Sequence, residues 1–458
     1  MLTIEHARPT HNCQGMSRRS AIKAGFLGLT GLSLADLLRL RAHGAAEKND
    51  KSVVLIWLDG GPSQLESYDP KPHAPSDYRG PFGALQTNVP GMIVSETLPL
   101  HTKLADKMAF IRSVHHDNGD HFAGGHWMLT GRFGSNAASL PQKYPSFGSY
   151  ISKLRGPNVS GMPAYVGLPA AQSIYLFPGY MGAAYLGAAY NPFDVDTEQK
   201  YLHFTSQNKI GRPRCLDSFG KVEVARAGDR QTLLSGLDQI ERQADQSGLM
   251  KTVDRYQQDA FSMVLGGKAR EAFNLDLEDP KAIDKYGNNP WGRYTLMARR
   301  LVEAGTTFAT VDMPHWDDHS NIEKGHGGKL EAVDRAVAAL IDDLDVRGIL
   351  DRTLVIVMGE FGRTPKINSG QPGIPIPGRD HWGNAISVMM AGGGLKGGVI
   401  VGATNSKAEF PIERALKPAD ILATVYHVMG IDPSTSFKDF AGRPVPMLDE
   451  GAPIAELI

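Results

Sequence analysis

"GGKLEAVDRAVAALIDDLDVRGILDRTLVIVMGEFG", residues 327–362, changes its pattern part-way along. Up to Leu350 the apolar residues recur three and four apart, the spacing of one helix face. From Thr353 they become a continuous run, "TLVIVM", which closes on Gly359 and Glu360. A short β-branched run bounded by glycine reads as a strand buried on both faces, the habit of parallel sheets. A helix feeding such a strand is half of a βαβ unit, so the stretch predicts an α/β fold.

The same signals recur on both sides of it. "SVVLIWL" (52–58), "MAFIRSV" (108–114), "TTFATVDM" (306–313) and "AISVMMAGG" (385–393) read as further buried strands. "NPWGRYTLMARRLVEAG" (289–305) has helical spacing and stops on Gly305. Alternation of this kind predicts a mostly parallel sheet with helices on both faces. Residues 218–275 are helical and polar-rich and break the alternation, so a helical insertion is expected there. "LFPGYMGAAYLGAAYNPF" (176–193) reads as a surface loop near a site. No linker divides the chain, and a single domain over 46–458 is expected.

Composition narrows the function classes. The chain has 458 residues, 41% hydrophobic and 21% charged, with a formal net charge of −1. That is globular, with no basic field for nucleic acid and no acidic tract for disorder. Cys13 and Cys215 cannot form a disulfide framework, and Cys215 reads as a buried structural thiol. The first 45 residues carry Arg18 and Arg19, then small and apolar residues, then "AHGAA". They resemble a twin-arginine export signal, which predicts a periplasmic or extracellular protein. Its apolar part is shorter than the roughly 20 residues a spanning helix needs.

In open α/β sheets ligands bind outside the carboxyl ends of the strands. Acids and histidines cluster there. Asp59 follows the first strand, and "HHDNGDHFAGGHWMLTG" with His121 and His126 follows the second. "PHWDDHSN", with His315, Asp317, Asp318 and His319, follows 306–313, Glu360 follows 353–358, and "GRDHWGN", with Arg379, Asp380 and His381, precedes 385–393. More than half of the 15 histidines lie in the segments 115–126, 315–326 and at 381. Carboxylates with imidazoles suit zinc, manganese or iron, and calcium or magnesium where oxygens dominate. The bland alternatives are a turn or helix cap at Asp59, a cap at Asp317, and a Glu360–Arg363 ion pair. The His121-to-His126 spacing is not that of a zincin helix, and "GPSQLES" is not a nucleophile elbow.

"WLDGGPSQLESYDPKP", "WDDHSN", "EFGRTP" and "GRDHWGNAISVMMAGGGLKGG" resemble the DUF1501 family, sulfatase-related proteins of the alkaline-phosphatase-like superfamily. The resemblance implies a doubly wound α/β sheet, a two-metal centre (zinc foremost, with Ca, Mg or Mn as alternatives) and chemistry on sulfate or phosphate esters. It implies Asp59 as a first-strand metal ligand, with bare glycines keeping the space above it open. It implies Asp317 and His319 at one metal, completed by His381, although the tight spacing leaves His315 or Asp312 as substitutes. Glu360 stands where relatives carry an Asp-His pair, and Phe361 replaces the histidine. The place of the sulfatase formylglycine falls on His121, and no Cys, Ser or Thr lies between Ser113 and Thr130, which excludes that nucleophile.

The expected ligands are therefore Asp59, His126, Asp317, His319, Glu360, Asp380 and His381. Arg363 and Arg379 are expected to clamp an anionic group. His121 is expected as nucleophile, as acid or as a replacement ligand, with water activated at the metal as the other attacking group. The substrate would be a small-molecule or polysaccharide ester. The alternative is a non-catalytic metal- or anion-binding protein on the same fold.

Overall fold

The computed structural model describes residues 50–134, 142–171, 181–196, 202–206, 210–213, 216, 263 and 267–458. The export segment, both cysteines and residues 218–262 of the expected insertion lie outside the described residues.

Eight strands form the central sheet: β1 (Ser52–Trp57), β2 (Met108–Val114), β3 (Tyr165–Leu168), β4 (Phe193–Asp194), β5 (Phe308–Asp312), β6 (Thr353–Met358), β7 (Ile386–Gly392) and β8 (Val399–Val401), in the order β8-β2-β7-β6-β1-β5-β3-β4. β1 pairs in parallel with β5 and β6, β3 with β5 and β4, and β8 with β2. Only β7 runs against its neighbours, β2 and β6. This is the mostly parallel α/β sheet expected from residue pattern. The antiparallel β7 explains why its functional residues precede it. Its amino end lies at the edge where the other strands have their carboxyl ends.

The alternation along β1 separates two cores, as the two-residue period of a strand requires. Val54 and Ile56 pack with residues of α3 (Pro290–Ala304) and α4 (Ile322–Val346), among them Trp291 and Leu340. Val53, Leu55 and Trp57 face the other way, onto α2 (Phe147–Arg155) and α5 (Pro418–Met429), against Phe147 and Tyr426. Ile56 is fully buried, and truncating such a side chain to alanine costs about 2–5 kcal/mol. α3 begins on Asn289, whose side chain accepts from the Gly292 N–H, with Pro290 in the first turn and Gly305 at φ 113° closing it. Those are the start and stop signals that the sequence carries.

Two segments add to the expected elements. His121–Thr130 is a helix, α1, capped by Asp120, whose side chain accepts from the Ala123 N–H. The described part of the 176–193 loop forms two short 3₁₀ turns, and its Met181 and Ala183 are buried in the core beside α2. Its stretch 187–189 is exposed, so the described part is surface loop at one end and core packing at the other. Among the described residues, no helix is long and apolar enough to cross a membrane.

Candidate metal centre

The turn after β1 sets the floor of the site. Gly60 and Gly61 have φ of 116° and 82°, a region that side chains disfavour. A Cβ on Gly60 would lie 2.7 Å from the backbone nitrogens of both Trp316 and Asp317, and one on Gly61 would meet the Phe361 ring at 2.4 Å. The bare backbone therefore lets the loop after β5 close down on the turn. The space expected to stay open above Asp59 is filled by that loop, and the Trp316 N–H donates to the Asp59 carbonyl at 3.0 Å.

Asp317, at the tip of the loop, is the point on which the site converges. Its Oδ1 lies 2.8 Å from His381 Nε2, 2.9 Å from His319 Nε2 and 2.9 Å from Arg363 Nη2. Its Oδ2 lies 3.3 Å from His121 Nε2. Each imidazole is tethered through its other nitrogen. His121 Nδ1 is 2.6 Å from Glu360 Oε1, His319 Nδ1 is 2.7 Å from Asp380 Oδ1, and His381 Nδ1 is 2.7 Å from the Gly119 carbonyl. Each tether is an acceptor, so each Nδ1 carries a proton and leaves Nε2 to face the common point. That is how proteins fix the tautomer and aim of metal-binding histidines. Among the described residues, His121, Asp317 and His381 gather three donor atoms within 4.8 Å of one another. The donor set and its outer tethers fit a divalent cation of the zinc type.

Without a metal the cluster compensates itself electrostatically. Burial alone would lower the His121 pKa, but hydrogen bonds and charges from Asp317 and Glu360 outweigh it and hold it up to about 10. Burial would raise that of Asp317, but the bonds from His121 and His381 and the charge of Arg363 hold its carboxyl well below the usual range. A cation bound at His121 would therefore have to displace a firmly held proton. Beneath the cluster, Asp312 is fully buried, and desolvation with the charges of Asp59, Glu360 and Asp194 pushes its carboxyl well above the carboxylate range.

The structure redistributes the expected roles. Asp317, His319, His381 and His121 come together. Glu360 and Asp380 stand behind His121 and His319, accepting from their Nδ1 atoms. Glu360 Oε1 also accepts the Gly60 N–H at 2.8 Å. Asp59 is buried under the loop, and Asp312 and His315 do not join the gathered group. His126 is not brought to the site, because five residues along α1 turn it to another face. Its Nδ1 lies 3.1 Å from the Arg132 carbonyl, its Nε2 accepts the Tyr144 N–H at 3.4 Å, and burial pushes its pKa down to about 4.

The two arginines are corrected most sharply. Arg363 and Arg379 are both 0% exposed. Arg363 donates to the carbonyls of Gly60, Gly61, Trp316 and Arg379 as well as to Asp317. Arg379 is paired with Glu66 at 2.8 Å and donates to the carbonyls of Tyr78, Thr364 and Pro365. A guanidinium has five N–H donors, and these are directed into the protein, so neither group is a clamp for an incoming anion.

Sequence reasoning missed several supporting residues. Gln64 forms a two-way amide bond with the Arg363 backbone, accepting from N at 2.9 Å and donating to O at 3.0 Å. Glu66 anchors Arg379, and His326 and Lys329 hold Asp318. A polar residue following the first strand at 64 and 66 was a visible signal, but nothing in the sequence says which charge it meets.

A family model described as "Protein of unknown function (DUF1501)" matches residues 50–458. No curated protein matches the chain. Among solved structures, the PsFucS1 sulfatase from Pseudoalteromonas sp. is 12% identical over 86% of this chain and 70% of its own, with a TM-score of 0.37. The alkaline phosphatase from the Antarctic bacterium TAB5 is 13% identical over 84% of this chain and 98% of its own, TM-score 0.36. The lipoteichoic acid synthase LtaP from Listeria monocytogenes is 11% identical over 84% and 72%, TM-score 0.34.

Proposed function

The chain belongs to the DUF1501 family, and from the site it carries we propose an exported, metal-dependent hydrolase of sulfate or phosphate esters. The observation that supports this is the convergence of three tethered imidazoles on one carboxylate. His121, Asp317, His319 and His381 would hold one divalent cation, with zinc first by donor chemistry. The gathered donor atoms account for one ion of the two first expected, and Asp59 and Glu360 lie outside that group. A bound cation of this kind supplies Lewis-acid polarisation of an ester oxygen and lowers the pKa of water.

The protein's own contribution is positional. Glu360 and Asp380 aim His121 and His319, and Arg363 shares the charge of Asp317, so the carboxylate stays ionised and fixed. The centre opens toward solvent at Asp317, whose side chain is 29% exposed, whereas Arg363 behind it is sealed. A substrate would therefore approach the Asp317 side. Small-molecule and polysaccharide esters are both compatible with an open mouth. Export by the twin-arginine route rests on Arg18 and Arg19.

A second reading is favoured by one observation. Both arginines are committed internally and His121 stands where a hydroxyl or thiol nucleophile would be expected, which suits a non-catalytic metal-binding protein. One experiment separates the two. Chain purified after native export is assayed for metal content and screened against sulfate and phosphate esters, with His381→Ala alongside. About one zinc per chain, lost with turnover in the variant, supports the hydrolase. Zinc without turnover across the panel leaves the binding protein, and no bound metal overturns both.

A further inference from the structure

The loop that carries Asp317 and His319 is held from behind by a second buried cluster, which the proposed reaction does not use. We propose that His326 is a positioning residue for the metal centre, tying this loop to the turn after β1 through Asp318. The inference rests on the metal-centre reading given above. His326 lies in the second turn of α4 and is 0% exposed. Its Nδ1 is 2.7 Å from Asp318 Oδ2, and its Nε2 accepts the Ser63 N–H at 3.0 Å. The carboxylate accepts and the backbone N–H donates, so the ring is confined to a single neutral tautomer. One imidazole thus joins the loop on one side to the first-strand turn on the other.

Lys329, three residues further along α4, reinforces the same carboxylate. Its Nζ lies 2.7 Å from Asp318 Oδ2 and also donates to the His315 carbonyl, and it sits 5.4 Å from the centre of the Trp316 ring. Asp317 and Asp318 are therefore gripped from opposite sides, the first by Arg363 and the second by His326 and Lys329. The loop needs such a grip. His315 has a φ of 78° and Asn321 one of 56°, left-handed conformations that are uncommon for residues other than glycine, although asparagine and histidine adopt them more readily than most. With the grip released, the loop would relax and Asp317 and His319 would lose their fixed aim.

The same helix supplies a control. Asp334, also on α4, pairs with the buried His101 at 2.6 Å and accepts the Leu100 and His101 N–H groups, bonds that involve none of the proposed metal ligands. Each pair is a His–Asp contact with one member on α4, and only one of them touches the ligand loop. His326→Ala, Lys329→Met and His101→Ala are compared in the full chain. Zinc affinity is read by competition with a chromophoric chelator, and thermal unfolding is read on the metal-free protein.

His326→Ala and Lys329→Met are expected to weaken zinc binding about tenfold or more, the low end for outer-shell partners. His101→Ala should lose comparable thermal stability with unchanged affinity, and His326→Gln, which keeps a donor and an acceptor, should recover part of the loss. If His326→Ala does not fold, Lys329→Met decides the question. Unchanged zinc affinity in both α4 variants, or an equal loss in His101→Ala, overturns the positioning role. A wild-type chain that takes up no zinc overturns the metal-centre reading, and this inference falls with it.

Discussion

Two layers of charge lie at the same end of the sheet, and they do different work. The upper layer holds Asp317, His319 and His381, with side chains 29%, 24% and 19% exposed, and they bond chiefly to one another. The lower layer holds Asp59, Asp312, Glu360, Arg363 and Arg379, none more than 2% exposed. Glu360, Arg363 and Arg379 bond to backbone groups and to neighbouring charges, whereas both carboxyl oxygens of Asp312 are buried without a hydrogen bond. Residue type does not separate the layers, since both contain acids and both follow strands. Burial does. A buried charge is costly unless the protein pairs it, so the fully bonded Arg363 and Arg379 become scaffold, whereas the more exposed cluster remains able to exchange partners.

The largest effect is expected in the lower layer. Arg379→Ala leaves Glu66, 1% exposed, buried without its cation, and loss of one member of such a pair costs about 3–5 kcal/mol. Chemical denaturation measures it. A loss near zero would mean that water replaces the guanidinium, and would return Arg379 to the role of an accessible clamp. In the upper layer the expected loss is in binding. Asp317→Ala should weaken zinc by at least about a hundredfold, ~2.7 kcal/mol, whereas Asp59→Asn should keep wild-type stoichiometry by elemental analysis. Loss of the metal in the Asp59 variant instead would erase the distinction between the layers.

Glu360 lies on the boundary between them. Glu360→Gln keeps the size and an acceptor but removes the charge that faces His121 Nδ1. Zinc affinity should fall about tenfold to a hundredfold. Complete loss of the metal would make Glu360 a direct ligand, as first expected, and no change would remove it from the site.

How much of this was legible in the sequence follows the same division. The five long strands were readable because a fully buried strand is a continuous apolar run, and the ligand-bearing ends followed from strand direction. β3, β4 and β8, with "YVGL", "FD" and "VIV", are too short to carry a period. α1 was hidden by Gly124 and Gly125, since glycine costs about 1 kcal/mol in a helix interior. Packing overrides that cost at Gly124, where a Cβ would stand 3.1 Å from the Glu360 carbonyl. His381 was found although its strand runs backwards. The arginines were misread for a plainer reason: sequence shows a charge but not the carbonyls folded around it.

Two histidines of one helix extend the contrast. In the metal-free protein His126 has its pKa lowered to about 4 and His121 has its pKa raised to about 10, against about 6.5 for either when unfolded. For His126 the folded state resists the proton. Its neutral form is fully compatible with folding above pH 6.5, and stability falls as pH drops from there toward 4. For His121 the folded state holds the proton. Its contribution is complete below pH 6.5 and is lost as pH rises toward 10. Each slope is about 1.4 kcal/mol per pH unit inside its window. His126→Gln should therefore flatten only the acid side of a metal-free stability–pH curve, and His121→Gln only the alkaline side. Saturating zinc should abolish the alkaline slope as well, because the cation takes the proton's place on His121 while His126 stays out of reach. An acid slope that also vanished with zinc would put His126 back at the centre.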